Sequence, residues 1–292
     1  MKIAVTTPTG NIGSRLAGHL LDAGAQVTLL VRDPGKVASL VSRGANAVPG
    51  NLEDGAYVTR ATAGVDALFW LTPPDMGNPD FRGRQRKLGK IAGQAVRANR
   101  IPRVVHLSSV GAQMPSGTGP IAGLHQVENS LNESGAAVRH LRAAFFMENF
   151  LWSLDGIRAA GSVFMPISGS TRTSMIATRD IAASAAKVLL DGSWTGQKAV
   201  GLHGPADLTF DEAATALGEG LSRPVRHVTV TPDQARGAMV GMGVHPGVAA
   251  LFLEMHDAFE TGRLQIAEPR TPETTTPTTL TTFAREVMKP LL

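Results

Sequence analysis

The stretch V-T-T-P-T-G-N-I-G, residues 5–13, decides the fold, because it takes the chain from a strand through a glycine turn into a helix. Residues 2–7 form a short β-rich run, and apolar residues then recur at helical spacing. Phosphates bind at such a turn, since free backbone N–H groups and the positive helix end face the anion. Gly10 and Gly13 lie in the turn, whereas Thr7 stands where the dinucleotide motif G-x-G-x-x-G has its first glycine. The stretch therefore predicts a phosphate-binding turn that departs from the motif at Thr7.

The first half of the chain alternates strand-like runs with helix-like stretches. The further strand candidates are residues 26–31, 45–48, 66–71 and 103–107, with a sixth ending before Phe145. This alternation predicts βαβ units and a doubly wound parallel sheet of the Rossmann-like α/β class. We predict a dinucleotide-binding domain over residues 1–150, joined by a returning segment near 174–192. A smaller C-terminal α+β substrate lobe, rich in Met, Gly and Pro, is predicted over 151–173 and 193–292. Near its end Leu280, Phe283, Ala284 and Val287 have helical spacing, which predicts a helix capped by Thr279.

Composition excludes several classes of protein. The chain has no cysteine, which removes disulfides, thiolate metal sites and cysteine nucleophiles, and we expect no metal site. The chain has no run of about 18 apolar residues, so no membrane span is predicted. The N-terminus lacks the pattern of a signal peptide, so a cytoplasmic protein is expected. The 28 basic and 24 acidic residues give a net charge of +4, which suits an anionic ligand without requiring nucleic acid. The abundance of Ala, Gly and Arg is typical of a bacterial source.

The tip of the second strand candidate indicates which dinucleotide binds. An acidic residue at this position bonds the ribose hydroxyls of NAD, whereas an arginine suits the additional phosphate of NADP. Arg32 comes first in the sequence L-L-V-R-D-P-G-K, and Lys36 follows within a turn. Asp33 is the residue that argues for NAD, and a solvated loop is the alternative role for both cations. The order of residues favours NADPH.

Segments in a fixed order along the chain carry a resemblance to a known family. They are T-P-T-G-N-I-G, V-R-D-P, G-N-L-E-D, L-T-P-P, V-V-H-L-S-S-V-G, H-Q-V-E-N-S-L-N-E-S-G, F-F-M-E-N-F, T-R-D-I-A and the terminal T-P-T-T-L-T-T-F-A-R-E. Together they resemble the NmrA-like group of atypical short-chain dehydrogenases/reductases. The resemblance implies a doubly wound NADP-binding domain with a small C-terminal substrate lobe. Members of this group include quinone and alkene reductases, and also cofactor-binding regulators that catalyse nothing.

The resemblance also implies which residues contact the cofactor. The implied contacts are Thr7, Thr9, Gly10, Asn11, Ile12 and Gly13 at the pyrophosphate turn, Arg32 and Lys36 at the 2′-phosphate, Asn51 and Leu52 near the adenine, and Thr72, Pro73 and Pro74 along the ribose. Thr7 departs from the glycine that the family usually has there. That departure bears on how tightly the phosphate binds and leaves the fold prediction unchanged.

The proton donor is the unusual feature of this sequence. Reductases of the wider superfamily use a Ser and a Tyr-x-x-x-Lys pair, in which the lysine keeps the tyrosine acidic enough to protonate the substrate oxygen. The one tyrosine, Tyr57, precedes the fourth strand, and the matching spacing falls on Ile121 and His125. His125 could orient the cofactor or donate the proton, or it could be a surface histidine paired with Glu128. Ser108 could bond a substrate carbonyl or satisfy the turn around it. A third account needs no side-chain acid, because hydride addition to a quinone or activated alkene leaves a stabilised anion that water can protonate.

The lobe is expected to bind a bulky apolar or aromatic small molecule. Aromatic residues and methionines follow the sixth strand at the edge where ligands enter such sheets, with ordinary core packing as the alternative for each. They are Phe145, Phe146, Met147, Phe150, Trp152, Phe164 and Met165. The substrate-contact candidates are Phe146, Met147, Asn149, Met239 and His245. Residues 237–245 are rich in Gly and Met, which predicts a mobile lid with His245 at its hinge as a second candidate acid.

The basic run F-R-G-R-Q-R-K at residues 81–87 opens the helix after the fourth strand. A solvated helix start explains this run better than nucleic-acid binding, because aromatic residues are only 5% of the chain and no reading helix accompanies it. The sequence favours an NADPH-dependent reductase of a quinone or another conjugated carbonyl or alkene compound, working without the usual tyrosine. The alternative is a non-catalytic NADP(H)-sensing regulatory protein. We expect no membrane or nucleic-acid partner, and a homodimer is left open.

Overall fold

The computed structural model describes residues 1–292 and contains twelve strands and eleven helices. The strands are β1 (Lys2–Thr6), β2 (Gln26–Val31), β3 (Asn46–Pro49), β4 (Ala67–Leu71), β5 (Arg103–Ser109), β6 (Ala137–Ala143), β7 (Phe145–Phe146), β8 (Ser162–Met165), β9 (Arg172–Ile176), β10 (Gln197–Leu202), β11 (Asp207–Thr209) and β12 (Arg226–Thr229). The helices are α1 (Asn11–Asp22), α2 (Ala38–Val41), α3 (Gly55–Ala61), α4 (Phe81–Asn99), α5 (Ile121–Asn132), α6 (Leu154–Ala160), α7 (Thr178–Leu190), α8 (Phe210–Leu221), α9 (Pro232–Gly241), α10 (Pro246–Glu260) and α11 (Leu280–Phe283). No helix has both the length and the apolar content of a membrane span.

Seven parallel strands form the main sheet, in the order β10-β6-β5-β4-β1-β2-β3. Strand order reverses beside β1, where β2 lies on one side and β4 on the other. In sheets of this kind ligands bind at such a switch point, outside the carboxyl ends of the strands. The predicted doubly wound α/β fold is confirmed, and the first six strands lie where the sequence predicts them.

Helices cover both faces of the sheet, because successive side chains of a strand point to opposite faces. Ile3 and Val5 belong to one core, which includes apolar residues of α1 and α7, whereas Ala4 belongs to a second core with residues of α3, α4 and α5. Both cores are closed to solvent, so the strands are apolar on both sides, as parallel sheets require. This rigid layer fixes the positions of the strand ends that carry the candidate site.

The C-terminal lobe has its own core, built from α8, α11 and the segment after β6. Two small sheets, β11-β9-β7 and β12-β8, belong to it. Thr279 caps α11 by accepting a hydrogen bond from the amide of Thr282, as the sequence predicts. The assignment of all residues from 193 onward to the lobe was wrong, since β10 pairs with β6 at the edge of the main sheet. Helix α7 supplies the crossover that a parallel strand needs, and it therefore returns the chain to the sheet for β10.

Helix α10 lies across the seam between the dinucleotide-binding domain and the lobe, and we call it the roof helix. Arg82, in the first turn of α4, pairs with Glu254 at 2.5 Å. The backbone of Gly119 is packed so closely under the roof helix that a Cβ there would lie 2.0 Å from the carbonyl oxygen of Leu251. On the lobe side, the Ser168 amide donates to Glu260 at 2.6 Å. The roof helix is thus attached to both bodies.

Candidate active site

The glycine turn after β1 has the geometry of a phosphate-binding turn. A Cβ on Gly13 would lie 2.2 Å from the carbonyl oxygen of Thr7, so only glycine lets α1 approach the strand this closely. A Cβ on Gly10 would meet only that same oxygen, at 3.6 Å, and the space around it is otherwise open. Gly13 therefore serves packing, whereas Gly10 leaves room on the outer side of the turn for a ligand.

Thr7 adopts the backbone conformation of the glycine that it replaces, with φ of 52°. A β-branched residue rarely occupies this left-handed region, and strain of this kind is typical of functional sites. Its hydroxyl oxygen is also buried and has no hydrogen-bond partner in the protein. Thr7 keeps the shape of the motif at a cost in backbone energy, and its unpaired hydroxyl fits a turn that is completed by a polar ligand.

The tip of β2 lies beside this turn, because Thr6 of β1 and Leu30 of β2 are register partners. Arg32 and Lys36 are both exposed there, and Lys36 lines the same groove as Thr9. Asp33 does not compete for the ribose, since its carboxylate caps the following turn by accepting from the Gly35 amide at 2.9 Å. The two cations are thus free for an anion, and the carboxylate that favours NAD is engaged elsewhere.

The other implied cofactor residues lie along the same sheet edge. Asn51 is exposed after β3, and its side-chain oxygen Oδ1 accepts from the backbone amide of Glu53. Leu52 packs on the second core. Thr72 follows β4 and is buried, and its hydroxyl accepts from the Trp70 indole at 3.1 Å. Pro73 and Pro74 continue from Thr72 toward the surface. Asn11 and Ile12 lie in the first turn of α1, where Asn11 is exposed and Ile12 is buried. These positions form one continuous edge, although their contacts with a cofactor stay predictions.

His125 makes contacts that leave it no free proton. Its Nδ1 lies 2.9 Å from the carbonyl oxygen of Ala112, which can only accept, so Nδ1 carries the proton of the neutral ring. Nε2 then accepts from the side-chain amide nitrogen, Nδ2, of Asn129 at 3.1 Å. The pairing of His125 with Glu128 is wrong, because the Glu128 carboxylate bonds Ser108 and Arg142 instead. The geometry gives His125 the role of holding the β5–α5 loop on the helix, and it does not support a role as acid.

Ser108 belongs to a buried polar network that was not predicted. Its hydroxyl donates to Glu128 at 2.6 Å, and Arg142 of β6 contacts the same carboxylate with two nitrogens, at 2.6 and 3.0 Å. Burial tends to raise the pKa of Glu128, but the Arg142 guanidinium outweighs it and holds the pKa below its usual range. Arg142 also pairs with Glu268 at 2.6 Å, which attaches the segment after the roof helix to the sheet. With its proton donated to Glu128, Ser108 has no O–H left for a substrate carbonyl.

Two buried histidines of the sheet lie beside this network. His106 and His140 are neighbours on β5 and β6, and their Nδ1 atoms lie 3.1 Å apart. Burial lowers the pKa of His140 to about 4 and that of His106 well below its usual range, so both rings are neutral at neutral pH. Glu128 lies close enough to both rings to suggest a metal-ligand set. Its charge is already neutralised by Arg142 in a buried ion pair, and no hydrogen bond joins it to either ring. No local sequence signal joins these residues, which come from three separate elements.

The candidate substrate residues after β6 separate into core and surface. Met147 is buried in the lobe core together with Phe145 and Phe150, so packing explains its position and its contact with a substrate stays a prediction. Asn149 is exposed. Phe146 is half-buried and packs on the main core, with Met255 and Phe259 of the roof helix packing on the same core. Phe146 therefore lies where the strand ends, the lobe and the roof helix meet.

Residues 237–245 are mostly helical, because the Thr231 capping box starts α9 and the helix continues to Gly241. Met239 is half-buried and most of α9 is exposed, and the movement of this segment as a lid stays a prediction. His245 caps the roof helix, and its Nδ1 accepts from the Gly247 amide at 3.1 Å. Its own amide donates to the Met76 carbonyl at 2.8 Å. A neutral His245 thus keeps its proton on Nε2, at the junction of α9 and α10.

The basic run that opens α4 is paired within the chain. Arg84 bonds Glu53 at 2.8 Å and the Pro73 carbonyl at 2.7 Å, and Lys87 bonds Glu53 at 3.0 Å. Arg82 pairs with Glu254 of the roof helix. The run therefore fixes α4 against its neighbours, and its charge is less available to a nucleic acid than a solvated helix start would be.

The fold and the strand-end site define a doubly wound Rossmann-like protein with a C-terminal lobe and a roof helix. The chain belongs to the NmrA-like family, whose pattern matches residues 1–283. It is 33% identical to the NAD(P)H azoreductase of Xenophilus azovorans over 87% of this chain and 86% of that one. It is 25% identical to quinone oxidoreductase 2 of Escherichia coli K12, over 86% of each chain. The triphenylmethane reductase of Citrobacter sp., solved with NADP(H), shares the fold with a TM-score of 0.83 at 22% identity, covering 97% of this chain and 99% of that chain.

Proposed function

We propose that this protein is an NADPH-dependent reductase that transfers a hydride to a quinone or another conjugated carbonyl compound. Its similarity to named NAD(P)H-dependent reductases supports oxidoreductase activity. The observation that carries the choice of cofactor is at the tip of β2, where Arg32 and Lys36 are exposed and free while Asp33 caps the next turn. A free cation pair with no competing carboxylate binds the 2′-phosphate of NADPH in preference to the ribose hydroxyls of NADH.

The residues present fit this cofactor. Gly10 has open space on its outer side, Gly13 fixes α1 against the strand, and the Thr7 hydroxyl lacks a protein partner. Arg32 and Lys36 would hold the 2′-phosphate, and the amides at the start of α1 would hold the pyrophosphate. NADPH supplies the hydride when it is bound. The strand ends and the roof helix then position an apolar acceptor and exclude bulk water from it.

The protein needs no tyrosine for this reaction. The arrangement of His125 and Ser108 leaves neither with a free proton. Addition of a hydride to a conjugated carbonyl gives an enolate or hydroquinone anion that is stable enough to be protonated by water. The chemistry then depends on positioning, which is what the site provides. This supports reduction of conjugated acceptors over reduction of simple alcohol-forming ketones, whose alkoxide needs a nearby acid.

Titration with NADPH and NADH tests the proposal, with nicotinamide fluorescence as the signal. We expect Arg32→Ala to weaken NADPH binding by about 30-fold and to change NADH binding by less than about threefold, because a charged hydrogen bond contributes about 2 kcal/mol. Arg86→Ala is the matched control, since Arg86 is an exposed arginine of α4. Equal losses for both cofactors would show that Arg32 does not read the phosphate.

Turnover separates the reductase from the sensor that the sequence left as the alternative. A panel of naphthoquinones, benzoquinones and enones is offered with NADPH, and oxidation is followed at the nicotinamide absorbance band. A reductase oxidises NADPH with members of this panel. Tight NADPH binding with no turnover on any of them would favour the regulatory protein instead.

A further inference from the structure

One side of the roof helix faces the seam between the dinucleotide-binding domain and the lobe. Residues three and four apart are neighbours on a helix surface, so His256 lies between Phe252 and Glu260 and beside Phe259. Phe259 packs on the main core, whereas Glu260 accepts from Ser168 in the lobe at 2.6 Å. The side chain of His256 therefore faces the seam between the dinucleotide-binding domain and the lobe.

The wall of this seam is apolar and only partly covered. Phe146, Leu124 and Leu71 are half-buried at the carboxyl edge of the sheet, where they pack on the main core. Met255 and Phe259 of the roof helix are half-buried against the same core. An aromatic or conjugated molecule matches such a wall, and pockets of this kind place a few polar groups among apolar ones.

His256 is the polar group on the seam side of the roof helix, and it lacks a protein partner. Its Nδ1 is shielded from solvent and has no hydrogen bond. An unpaired buried polar atom is costly, so such atoms in native structures are often explained by a ligand or by function. Nε2 is not shielded in this way and makes no hydrogen bond within the protein, so it is the ring nitrogen left for a ligand. A neutral ring with Nδ1 in apolar surroundings holds its proton on Nε2, where the N–H can be used.

Burial lowers the pKa of His256 to about 4, with no charged neighbour contributing. The ring is therefore neutral at neutral pH and is a poor acid. A neutral imidazole can still donate a hydrogen bond to an oxygen whose negative charge grows during reaction. This distinguishes His256 from His125, both of whose nitrogens are engaged.

We propose that the Nε2–H of His256 donates a hydrogen bond to the acceptor oxygen of a conjugated carbonyl compound bound in the seam. This makes His256 a substrate-binding residue that favours planar acceptors bearing a carbonyl oxygen, and its reaction part rests on the proposed function. In such a reduction NADPH would give up a hydride and be oxidised to NADP⁺, and the substrate would gain that hydride and be reduced. The substrate oxygen takes up the negative charge and then a proton from water, while His256 keeps its own proton. The hydrogen bond strengthens as the charge develops, so it contributes to both binding and rate.

Two substitutions separate the hydrogen bond from the shape of the ring. His256→Phe keeps an aromatic ring and removes both nitrogens, whereas His256→Gln keeps an N–H at about the reach of Nε2. We expect His256→Phe to lower kcat/KM for menadione by about 20-fold, with about fivefold in KM and about fourfold in kcat, and His256→Gln to stay within about threefold of the wild type. NADPH affinity should stay within about twofold for both. The matched control is His227→Phe, because His227 also has a shielded, unpaired ring nitrogen but packs on Phe210 inside the lobe.

A binding measurement makes the inference independent of turnover. Menadione is titrated into the NADP⁺-loaded protein by calorimetry, and His256→Phe should weaken its binding by about fivefold. The unfolding temperature of His256→Phe should equal or exceed that of the wild type, because an unpaired nitrogen is removed. If the wild type reduces menadione and His256→Phe reduces and binds it equally well, the hydrogen bond from His256 is overturned and the proposed reductase function stands. If menadione binding depends on His256 but the wild type reduces no substrate, the hydrogen bond stands and the proposed reductase function is overturned. Equal losses in the Phe and Gln variants would show a packing role and overturn the hydrogen bond.

Discussion

Two glycine substitutions at the first turn give the sharpest test of how this site is built. In Gly13→Ala the new methyl would lie 2.2 Å from the Thr7 carbonyl oxygen, 2.8 Å from the Thr7 carbonyl carbon and 3.1 Å from the Pro8 Cα. Carbon and oxygen atoms need about 3.2 Å, so α1 must move away from the strand by about 1 Å. All three atoms belong to the backbone, so a change of rotamer cannot relieve the contact.

The cost of that displacement can be worked out for stability and binding separately. Overpacking of this size lowers the free energy of unfolding by about 2 kcal/mol, which lowers the unfolding temperature by about 3 °C for a chain of this length. A shift of about 1 Å also breaks the alignment of the α1 amides with a phosphate. Losing two charge-assisted hydrogen bonds at about 1.5 kcal/mol each weakens NADPH binding by more than about 100-fold.

Gly10→Ala is the matched control, because its methyl would come no closer than 3.6 Å to any protein atom. Gly10 has φ of −88° and ψ of 168°, which alanine adopts without strain. We expect stability to stay the same or to rise by about 0.5 kcal/mol, because alanine restricts the unfolded chain. The methyl enters the space left open for the phosphate, so NADPH affinity should still fall by about tenfold.

Thermal unfolding and NADPH titration on the two variants and the wild type check both parts. A Gly13→Ala variant that unfolds at the wild-type temperature would show that Gly13 does not fix α1 against the strand. A Gly10→Ala variant that binds NADPH as tightly as the wild type would show that the open side of this turn does not face the phosphate.

Three further predictions concern strain, buried charge and acid. Thr7→Gly should raise the free energy of unfolding by about 1 kcal/mol in urea, because glycine adopts φ of 52° without strain; a less stable variant would show that the Thr7 side chain holds the turn together. Arg142→Met should lower stability by about 4 kcal/mol, since Glu128 would stay charged and buried, and adding Glu128→Gln should restore much of the loss; a double variant no better than the single one would contradict this. Stability should fall with decreasing pH between 6.5 and 4, where the unfolded chain protonates His140 and His256 while burial keeps both neutral in the fold, each having a folded pKa of about 4. His106, whose pKa burial also holds well below its usual range, acts in the same direction, so the three groups give a slope of about 4 kcal/mol per pH unit near pH 5. His256→Phe should lower this slope by about a third, which urea unfolding at a series of pH values measures. The pKa of Glu128 is lowered in the folded protein, so the stability that this carboxylate contributes is fully present above its unfolded pKa. That contribution is lost only as pH falls below about 4.

The sequence by itself determined the alternation of strands and helices, because periodicity and caps act over a few residues. The glycine turn, the six strands and the Thr279 cap all depend on neighbours within about four positions, and each is as predicted. The family resemblance was determined in the same way, since it rests on short segments in a fixed order.

Only the tertiary structure decided which side chains meet. Glu128 bonds Ser108 and Arg142, although Glu128 lies one helical turn from His125 and was paired with it in sequence. Met147 follows a strand end as a ligand residue would, yet it fills the lobe core. Hydrogen bonds and burial depend on atoms that are far apart along the chain, and sequence spacing carries no information about them. For the same reason the free nitrogen of His256 becomes visible only when the roof helix is placed over the seam.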